Sequence, residues 1–499
     1  MTDSASPVGP AFFRRPPEER RQLAEIKRCL ERFLGDSAFR QGCQVLLASP
    51  AMEGRAVGGA VESGEDADDG AAALHREHGI TVDVRALRPL LEPGFGGDLA
   101  DYPLVRLWQA HMASQFAYRD GVVVRGDTGG HNPAYDRWRR RQIARCRGEL
   151  GSTASSIVHP VVAFELSSGC SVGCWFCGIS AGAFAGHAPY ADNQVLWRGM
   201  LAQTVAFFGA TAAGTGFCYW ATDPADNPDY PAFIADFHAA IGVVPQTTTA
   251  APLKNPDLTR AVLALTERHQ TTINRFSVLN TRLLRQIHAA FTAEELLGVE
   301  LVLQQQDSLN AKAFAGRARR RPAAKRPLDE AQDHPTIACV TGFLVNLPQR
   351  TVRLVTPTRA TDACPDGFHT LGEASFTTAD EFGAALRYLL AQVPDELAMD
   401  DVLTLRPDLA ATPDAAGFTL RDAGQQYQVH HPAAALLLPL LLQGRHTVRD
   451  AYRACLTAGI DLRALANLLH RLFALGVLSE EPGRPGISGV RRSLPPQAA

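Results

Sequence analysis

A mainly apolar run, VVAFEL at 161–166, leads directly into GCSVGCWFCG, which sets Cys170, Cys174 and Cys177 in a C-x3-C-x2-C spacing. Three thiolates on one short loop can occupy three corners of a four-iron, four-sulfur cluster and leave the fourth iron open. Glycines at 169, 173 and 178 let such a loop wrap tightly, because they tolerate backbone angles that other residues avoid. A loop that follows a strand belongs at that strand's carboxyl end, where β/α folds keep their sites. The competing reading is a zinc site, which needs four N or S ligands, usually in two pairs. No second C-x2-C occurs in the chain. Three incidental cysteines seldom fall in this spacing behind a strand.

The chain has 499 residues, 46% of them hydrophobic and 20% charged, which fits a globular protein of two or three domains. Its formal net charge of −3 gives no reason to expect nucleic acid as a partner. Only four of its 49 basic residues are lysine; we read this as compositional bias without functional weight. The opening MTDSASPVGPAFFRRPPEERRQL lacks the apolar core and cleavage site of a secretory signal. The longest apolar run, Ala433 to Leu442, is about half of what a membrane span needs. Ten cysteines without an export signal point to the reducing cytoplasm, where metal ligation or redox chemistry is expected rather than a disulfide framework.

Residues 1–150 read as a helical accessory region. Leu23, Ile26, Leu30, Phe33 and Leu34 form one apolar helix face, with Gly35 as the expected C-terminal cap. The Gly-, Ala- and acid-rich stretch from 50 to 73 reads as a mobile loop. From Pro160 onward, β-rich and helical runs alternate: VVAFEL, WRGMLAQTVAFFGA, GTGFCYWAT, YPAFIADFHAAI, GVVPQTTT, LTRAVLALTERH, INRFSVL, TRLLRQIHAAF and VELVLQQ. That alternation predicts a parallel sheet with crossover helices, a full or partial β/α barrel, over 151–330. The basic run AGRARRRPAAKRP near 315–327 reads as a solvated loop. TIACVTGFLVNL and TVRLVTPT predict a hairpin in an extension over 331–385. Residues 386–499 carry strongly periodic helices, with Thr447 as an N-cap, in a small winged-helix-like unit, and the tail after Pro482 reads as disordered.

On its cysteine spacing the chain is identified as a member of the radical S-adenosylmethionine (SAM) enzymes, in which the open iron chelates SAM and an electron releases a 5′-deoxyadenosyl radical. The implied fold is α/β, a partial (β/α)6 barrel. Several further stretches resemble the radical SAM epimerases that convert L- to D-residues in ribosomally made peptides of the proteusin type. They are FELSSGCSVGCWFCGISA, CYWATDPADNPDY, QTTTAAPLKNP, NRFSVLNTRLLRQIHAAFTAEELLGVELVLQQ, IACVTGFLVN…VRLVTP and the opening KRCLERFLGDSAFRQ. The resemblance implies a precursor-peptide substrate, one 4Fe-4S cluster, SAM, and an electron donor of flavodoxin or ferredoxin type. It implies abstraction of an α-hydrogen, then quenching of the planar radical from the opposite face by a thiol outside the cluster.

Seven cysteines lie outside the triad. Cys29, Cys43, Cys146 and Cys455 read as packing residues, and Cys218 falls in a strand-end segment that could line the SAM site. Cys339, in the family-like IACVTGF, is the first candidate donor, and Cys364, in TDACPDGF, the second. The family pattern often has a cysteine near position 358, where this chain has Thr358. Phe176, before the last ligand, is the residue type usual at that place in the superfamily and implies a backbone near the adenine. Asp223 stands where superfamily members carry a stretch for the SAM ammonium, with an ordinary Asp-Pro turn as the alternative. Thr248, Arg275 and Ser277 follow strands and could reach the ribose or carboxylate. Glu165, a few residues before the triad, is expected to point inward, where a buried carboxylate needs a partner.

Two rivals stand beside this reading. A peptide maturase forming thioether or C–C bonds usually carries auxiliary clusters, for which Cys339 and Cys364 are too few. A leader-peptide-binding protein would use the C-terminal unit, which resembles small winged-helix modules that hold peptides by β-addition.

Overall fold

The computed structural model describes residues 9–48, 77–305, 308–310, 313–320, 334–482 and 486–487. The expected loop at 50–73, most of the basic run beyond 320 and most of the tail after Pro482 lie outside the described residues. The chain falls into two units, each drawn from two stretches of sequence: 1–121 with 223–312, and 122–222 with 313–499.

In the first unit, α1 (Pro17–Gly35) starts on a proline, carries Glu18 and Glu19 in its first turn and buries Leu23, Ile26, Cys29 and Phe33. The helix stops at Gly35, where the sequence places its C-terminal cap. Asp36 is extended and caps a second helix, α2 (Ser37–Leu47), by accepting from the Phe39 N–H at 3.4 Å. Gly35 is the last residue of α1 rather than a left-handed cap, and a Cβ there would meet Gln305 Nε2 at 2.7 Å and Leu284 Cδ2 at 2.8 Å.

The core of this unit is a parallel sheet. Strand β2 (Thr248–Thr249) pairs with β3 (Asn274–Val278), which pairs with β4 (Val299–Leu303). Helices Pro256–His269 and Thr281–Ala290 cross over between them, each capped by an asparagine, Asn255 and Asn280. One sheet face is buried, with Phe276, Val278, Val299, Leu301 and Leu303 against Leu284 and Ile287.

In the second unit, β1 (Val162–Glu165) is buried throughout and pairs in parallel with β5 (Gly342–Asn346), from Val162 opposite Phe343 to Glu165 opposite Asn346. Phe217 bridges in parallel to Ala163 on β1. A turn at 347–350, with Arg350 at φ +54°, returns the chain as β6 (Thr351–Pro357), and β7 (Phe368–Ser375) completes an antiparallel edge. Parallel strands buried on both faces are what α/β layering requires. The architecture is therefore mixed α/β, and the described strands close no barrel.

Beyond it, β8 (Ala410–Asp414), β9 (Gly417–Arg421) and β10 (Gln426–His430) form an antiparallel sheet in that order. Helices Ala434–Gln443, Val448–Thr457 and Leu462–Ala474 pack on it around Phe418, Leu437, Leu441, Leu469 and Phe473. Thr447 caps the second of these in a reciprocal box with Asp450. Among the described residues no helix is long and apolar enough to cross a membrane.

Candidate active site

The cysteine loop leaves the carboxyl end of β1 and is shaped by its backbone. Gly169, at φ +71°, lets the chain pass so close to residue 183 that an added Cβ would lie 2.0 Å from the Ala183 carbonyl oxygen. The Cys170 N–H then donates to Gly182 O at 3.0 Å, and the Cys177 N–H to Cys174 O at 3.3 Å. Cys170, Cys174 and Cys177 are all partly exposed and none is in a disulfide. The Ala181 N–H donates to Cys177 Sγ at 3.3 Å. Hydrogen bonds of that kind to the sulfurs orient the thiolates of iron–sulfur sites and tune their potential.

Among the described residues no group of three or more His, Cys, Asp or Glu side chains gathers around a single point as for one ion. A cluster makes no such demand, since each thiolate binds a different iron. Three thiols on one loop and an N–H aimed at a sulfur fit a polynuclear iron–sulfur group in their donor chemistry. Phe176 is buried, with its ring edge-on to Trp175 at 5.4 Å.

Behind the loop, Ala163, Phe217, Trp220, Ala338, Val340, Leu344 and Val355 make an apolar floor, on which Ile179 and Cys339 pack. Glu165 closes the end of β1. Its Oε1 accepts from the Ala221 N–H and its Oε2 from the Asn346 side-chain amide, both at 2.9 Å. Burial pushes this carboxyl above its usual range, and the two neutral donors only partly offset it. The partner demanded by a buried carboxylate is thus Asn346, directly across the β1–β5 ladder.

The two candidate donor cysteines have different surroundings. Cys339 lies in the segment before β5 and packs also against the cluster of Cys146, Leu150 and Ile157. The segment passes from Ile337, which a Cβ on Gly178 of the cysteine loop would meet at 2.4 Å, to Thr341, whose N–H donates to Pro160 O at the amino end of β1. Cys364 sits in a turn with Thr361, and its thiol donates to Phe368 O at 3.1 Å. The neighbouring Pro365 carbonyl accepts from Gly316 N at 2.7 Å, while Arg317 N donates to Cys177 O at 2.9 Å. Two consecutive residues therefore tie the Cys364 turn to the cysteine loop. Burial pushes the Cys364 thiol up. Cys218 is buried, and burial holds its thiol far above the usual range. Cys29, Cys43, Cys146 and Cys455 are buried. Thr358 is buried with its hydroxyl donating to Glu149 at 2.8 Å.

The remaining candidates belong to the first unit. Thr248 stands opposite Arg275 in the ladder, and Ser277 follows two residues on, so all three share the less buried sheet face. Arg275 is engaged with Glu300 at 2.7 Å. Asp223 is buried and caps the turn at 224–226 by accepting from the Ala225 N–H at 2.9 Å. It also accepts from Thr249 Oγ1 at 2.7 Å and from the Ala250 N–H at 2.8 Å. Burial pushes its carboxyl up despite these donors.

Asn346, Gly316 and Arg317 were not singled out from sequence. Asn346 carried no motif, and the other two were hidden in a run whose charge suggested solvent.

In the C-terminal part of the second unit, a groove of about 880 Å³ runs between edge strand β10 and helix Leu462–Ala474. Gln426 to His431 line one side and Ala464, Asn467, Leu468, Arg471, Leu472 and Leu475 the other, with no acidic residue among them. Asp422 N donates to Gln425 O at the hairpin end. By ladder alternation Gln426, Gln428 and His430 therefore turn their backbone N–H and C=O groups away from β9.

Fold and site together describe a mixed α/β protein with a glycine-shaped cysteine loop at the carboxyl end of a buried strand. The chain belongs to the same family as uncharacterized protein y4wI of Sinorhizobium fredii (strain NBRC 101917 / NGR234), with which it is 42% identical over 482 residues, 94% of this chain and 90% of that protein. No family model matches the chain. Among solved structures, BtrN in complex with AdoMet and 2-DOIA is similar at 13% identity and a TM-score of 0.22. That match covers 29% of this chain and 56% of BtrN, too slight a likeness to define a fold.

Proposed function

We propose that this protein is a radical SAM peptide epimerase built on a partial (β/α)6 barrel, acting on a ribosomally made precursor peptide. The observation that carries the reading is the C-x3-C-x2-C loop at the carboxyl end of β1, with the Cys364 turn hydrogen-bonded to it through Gly316 and Arg317. Cys170, Cys174 and Cys177 would hold one 4Fe-4S cluster, and Phe176, Asp223, Thr248 and Ser277 are the candidate contacts to SAM. When bound, cluster and SAM supply a radical able to take a hydrogen atom from carbon.

The chain's own part is to present the peptide α-carbon and to return a hydrogen atom from the opposite face. Loss of the α-hydrogen leaves a planar carbon radical, so the side on which a thiol stands decides the product. Its tie to the loop favours Cys364 over Cys339, and burial keeps its sulfur protonated, the only form that can give up a hydrogen atom. The Cys364 S–H bond breaks, the new C–H bond forms, and the sulfur radical regains an electron from the external donor protein and a proton from solvent.

The groove beside β10 supports a docking role for the leader of the same peptide. An extended segment could add its backbone to the free groups of Gln426, Gln428 and His430 while its side chains enter the groove. Arg471, His430 and His431 in the lining, with no carboxylate, suit an acidic leader.

The decisive test is anaerobic reconstitution with SAM, a reductant and a candidate precursor peptide sought among the neighbouring genes. The expected result is 5′-deoxyadenosine together with uptake of a single solvent deuteron at each inverted α-carbon. Cys364→Ala should retain SAM cleavage and stop inversion, whereas Cys339→Ala should invert normally; the reverse pattern moves the donor to Cys339. Absence of 5′-deoxyadenosine from cluster-loaded protein removes the enzyme reading and leaves the peptide binder. Gln428→Pro, which deletes an outward N–H of β10, should weaken leader binding in a fluorescence-anisotropy titration.

A further inference from the structure

Arg317 belongs to the basic run whose charge suggested a solvated loop, yet its side chain is turned onto the cysteine loop. One guanidinium nitrogen donates to Cys174 O at 3.1 Å and the other to Ala181 O, while the backbone N–H takes Cys177 O at 2.9 Å. A single residue thus holds the carbonyls of two of the three cysteines and of the residue whose own N–H reaches Cys177 Sγ.

The approach depends on Gly316. It has φ +56°, and a Cβ there would stand 2.6 Å from the Cys177 and Gly178 carbonyl oxygens. Ala315 and Ala318 are buried on either side. Arg317 is partly buried, and among the described residues no carboxylate lies within ion-pair distance of it. Its neighbour Arg319, by contrast, pairs with Asp362 at 2.7 Å. A cluster held by three thiolates is an anion, and a partly buried guanidinium bound to the same loop would stand beside it as its counter-charge.

We infer that Arg317 is the positioning residue of the cysteine loop, fixing its shape through two carbonyls and setting a positive charge beside the cluster that stabilises the reduced state. The inference rests on the triad holding a cluster, as proposed above. Nearby charge and hydrogen bonding are the protein's means of tuning both affinity and potential. The planar fork is essential to the first task and the charge to the second, so lysine should serve one and not the other.

The test compares wild type, Arg317→Lys, Arg317→Met and the control Arg319→Met after anaerobic reconstitution. The readouts are iron and sulfide content, the rate of iron loss to a chelator, and the midpoint potential by EPR-monitored titration. Arg317→Met should lose iron about 10-fold faster or more and shift the potential to more negative values. Arg317→Lys should lose iron faster but keep the wild-type potential, and Arg319→Met should match wild type in both. Wild-type iron retention and potential in Arg317→Met would overturn the inference. If circular dichroism shows that Arg317→Met has not folded, wild-type iron retention in Arg317→Lys overturns it instead. Failure of the wild type itself to take up iron and sulfide is a different outcome, which removes the cofactor reading and this inference with it.

Discussion

Two buried glutamates in the same unit, Glu149 and Glu165, meet opposite company. Glu149, near the end of helix Pro133–Leu150, accepts at both oxygens from one guanidinium nitrogen, Arg145 Nη1, at 2.7 and 2.8 Å, with Arg406 3.8 Å away. Burial alone would raise its carboxyl, but the two guanidinium groups hold it below the usual range. Glu165 has a backbone N–H and a neutral amide, and burial wins. The first arrangement is a clamp. Arg145 reaches Thr356 Oγ1 and Pro357 O on β6, and Arg406 binds Asp408, Asp422 and the Gly476 carbonyl in the C-terminal part. The second ends a strand beside the cysteine loop, and burial there pushes its carboxyl up. Guanidinium groups bind the first carboxylate directly, whereas the hydrogen bonds to the second come from neutral donors, with Arg353 acting on it only through its charge.

The largest effect should come from breaking the clamp. Glu149→Gln removes the bidentate partner of a buried arginine while leaving both guanidinium groups in place, which should cost about 3–5 kcal/mol in urea unfolding. The loss should be accompanied by faster proteolysis after Pro394, whose carbonyl is held by Arg141 from the same helix. A loss under about 1 kcal/mol, the worth of a surface pair, would mean that the clamp is an assembly of ordinary contacts. The neutral site should respond less. Asn346→Ala leaves one Glu165 oxygen buried without a donor, for about 1–3 kcal/mol. It should also push the Glu165 carboxyl further up, measurable as a steeper loss of stability with rising pH.

Local chemistry explains what the sequence disclosed. The cysteine loop, the strand ahead of it and the Thr447 cap are written within a few consecutive residues, so spacing alone reveals them. The crossover alternation is readable for the same reason and predicts parallel pairing, which β2–β4 display, whereas the parallel pairing of β5 with β1 falls in a segment that reads as a hairpin. Partners across the fold were not readable. Glu165 and Asn346 are 181 residues apart, and nothing in either segment names the other. The end of the first helix at Gly35 is legible in the glycine, whereas the immediate restart rests on the Asp36 cap and the tight approach of Gly35. Arg317 was misjudged because a run of arginines advertises solvent, while side-chain direction is decided by Gly316 and its neighbours.

The smallest effect is the sharpest probe of the difference between the two carboxylates. The unfolded chain releases the proton of Glu165 near pH 4.3, the ordinary glutamate value of about 4.3, while the folded chain keeps it to higher pH. Within that window the fold binds more protons than the unfolded chain, so stability falls as pH rises. Glu149 has the opposite sign: its contribution is present above the unfolded-state value and is lost as pH falls through its lowered folded value. The amide in Glu165→Gln mimics the protonated carboxyl and cannot titrate. The variant should therefore match wild type at the acid end of the window and become the more stable protein as pH rises to neutral, by less than the Asn346→Ala loss. It should leave the acid-side decline due to Glu149 unchanged. Denaturant midpoints measured at several pH values decide the matter. Parallel curves for variant and wild type would show that Glu165 is ionised in the fold as freely as in water, and the contrast with Glu149 would then lie in geometry alone.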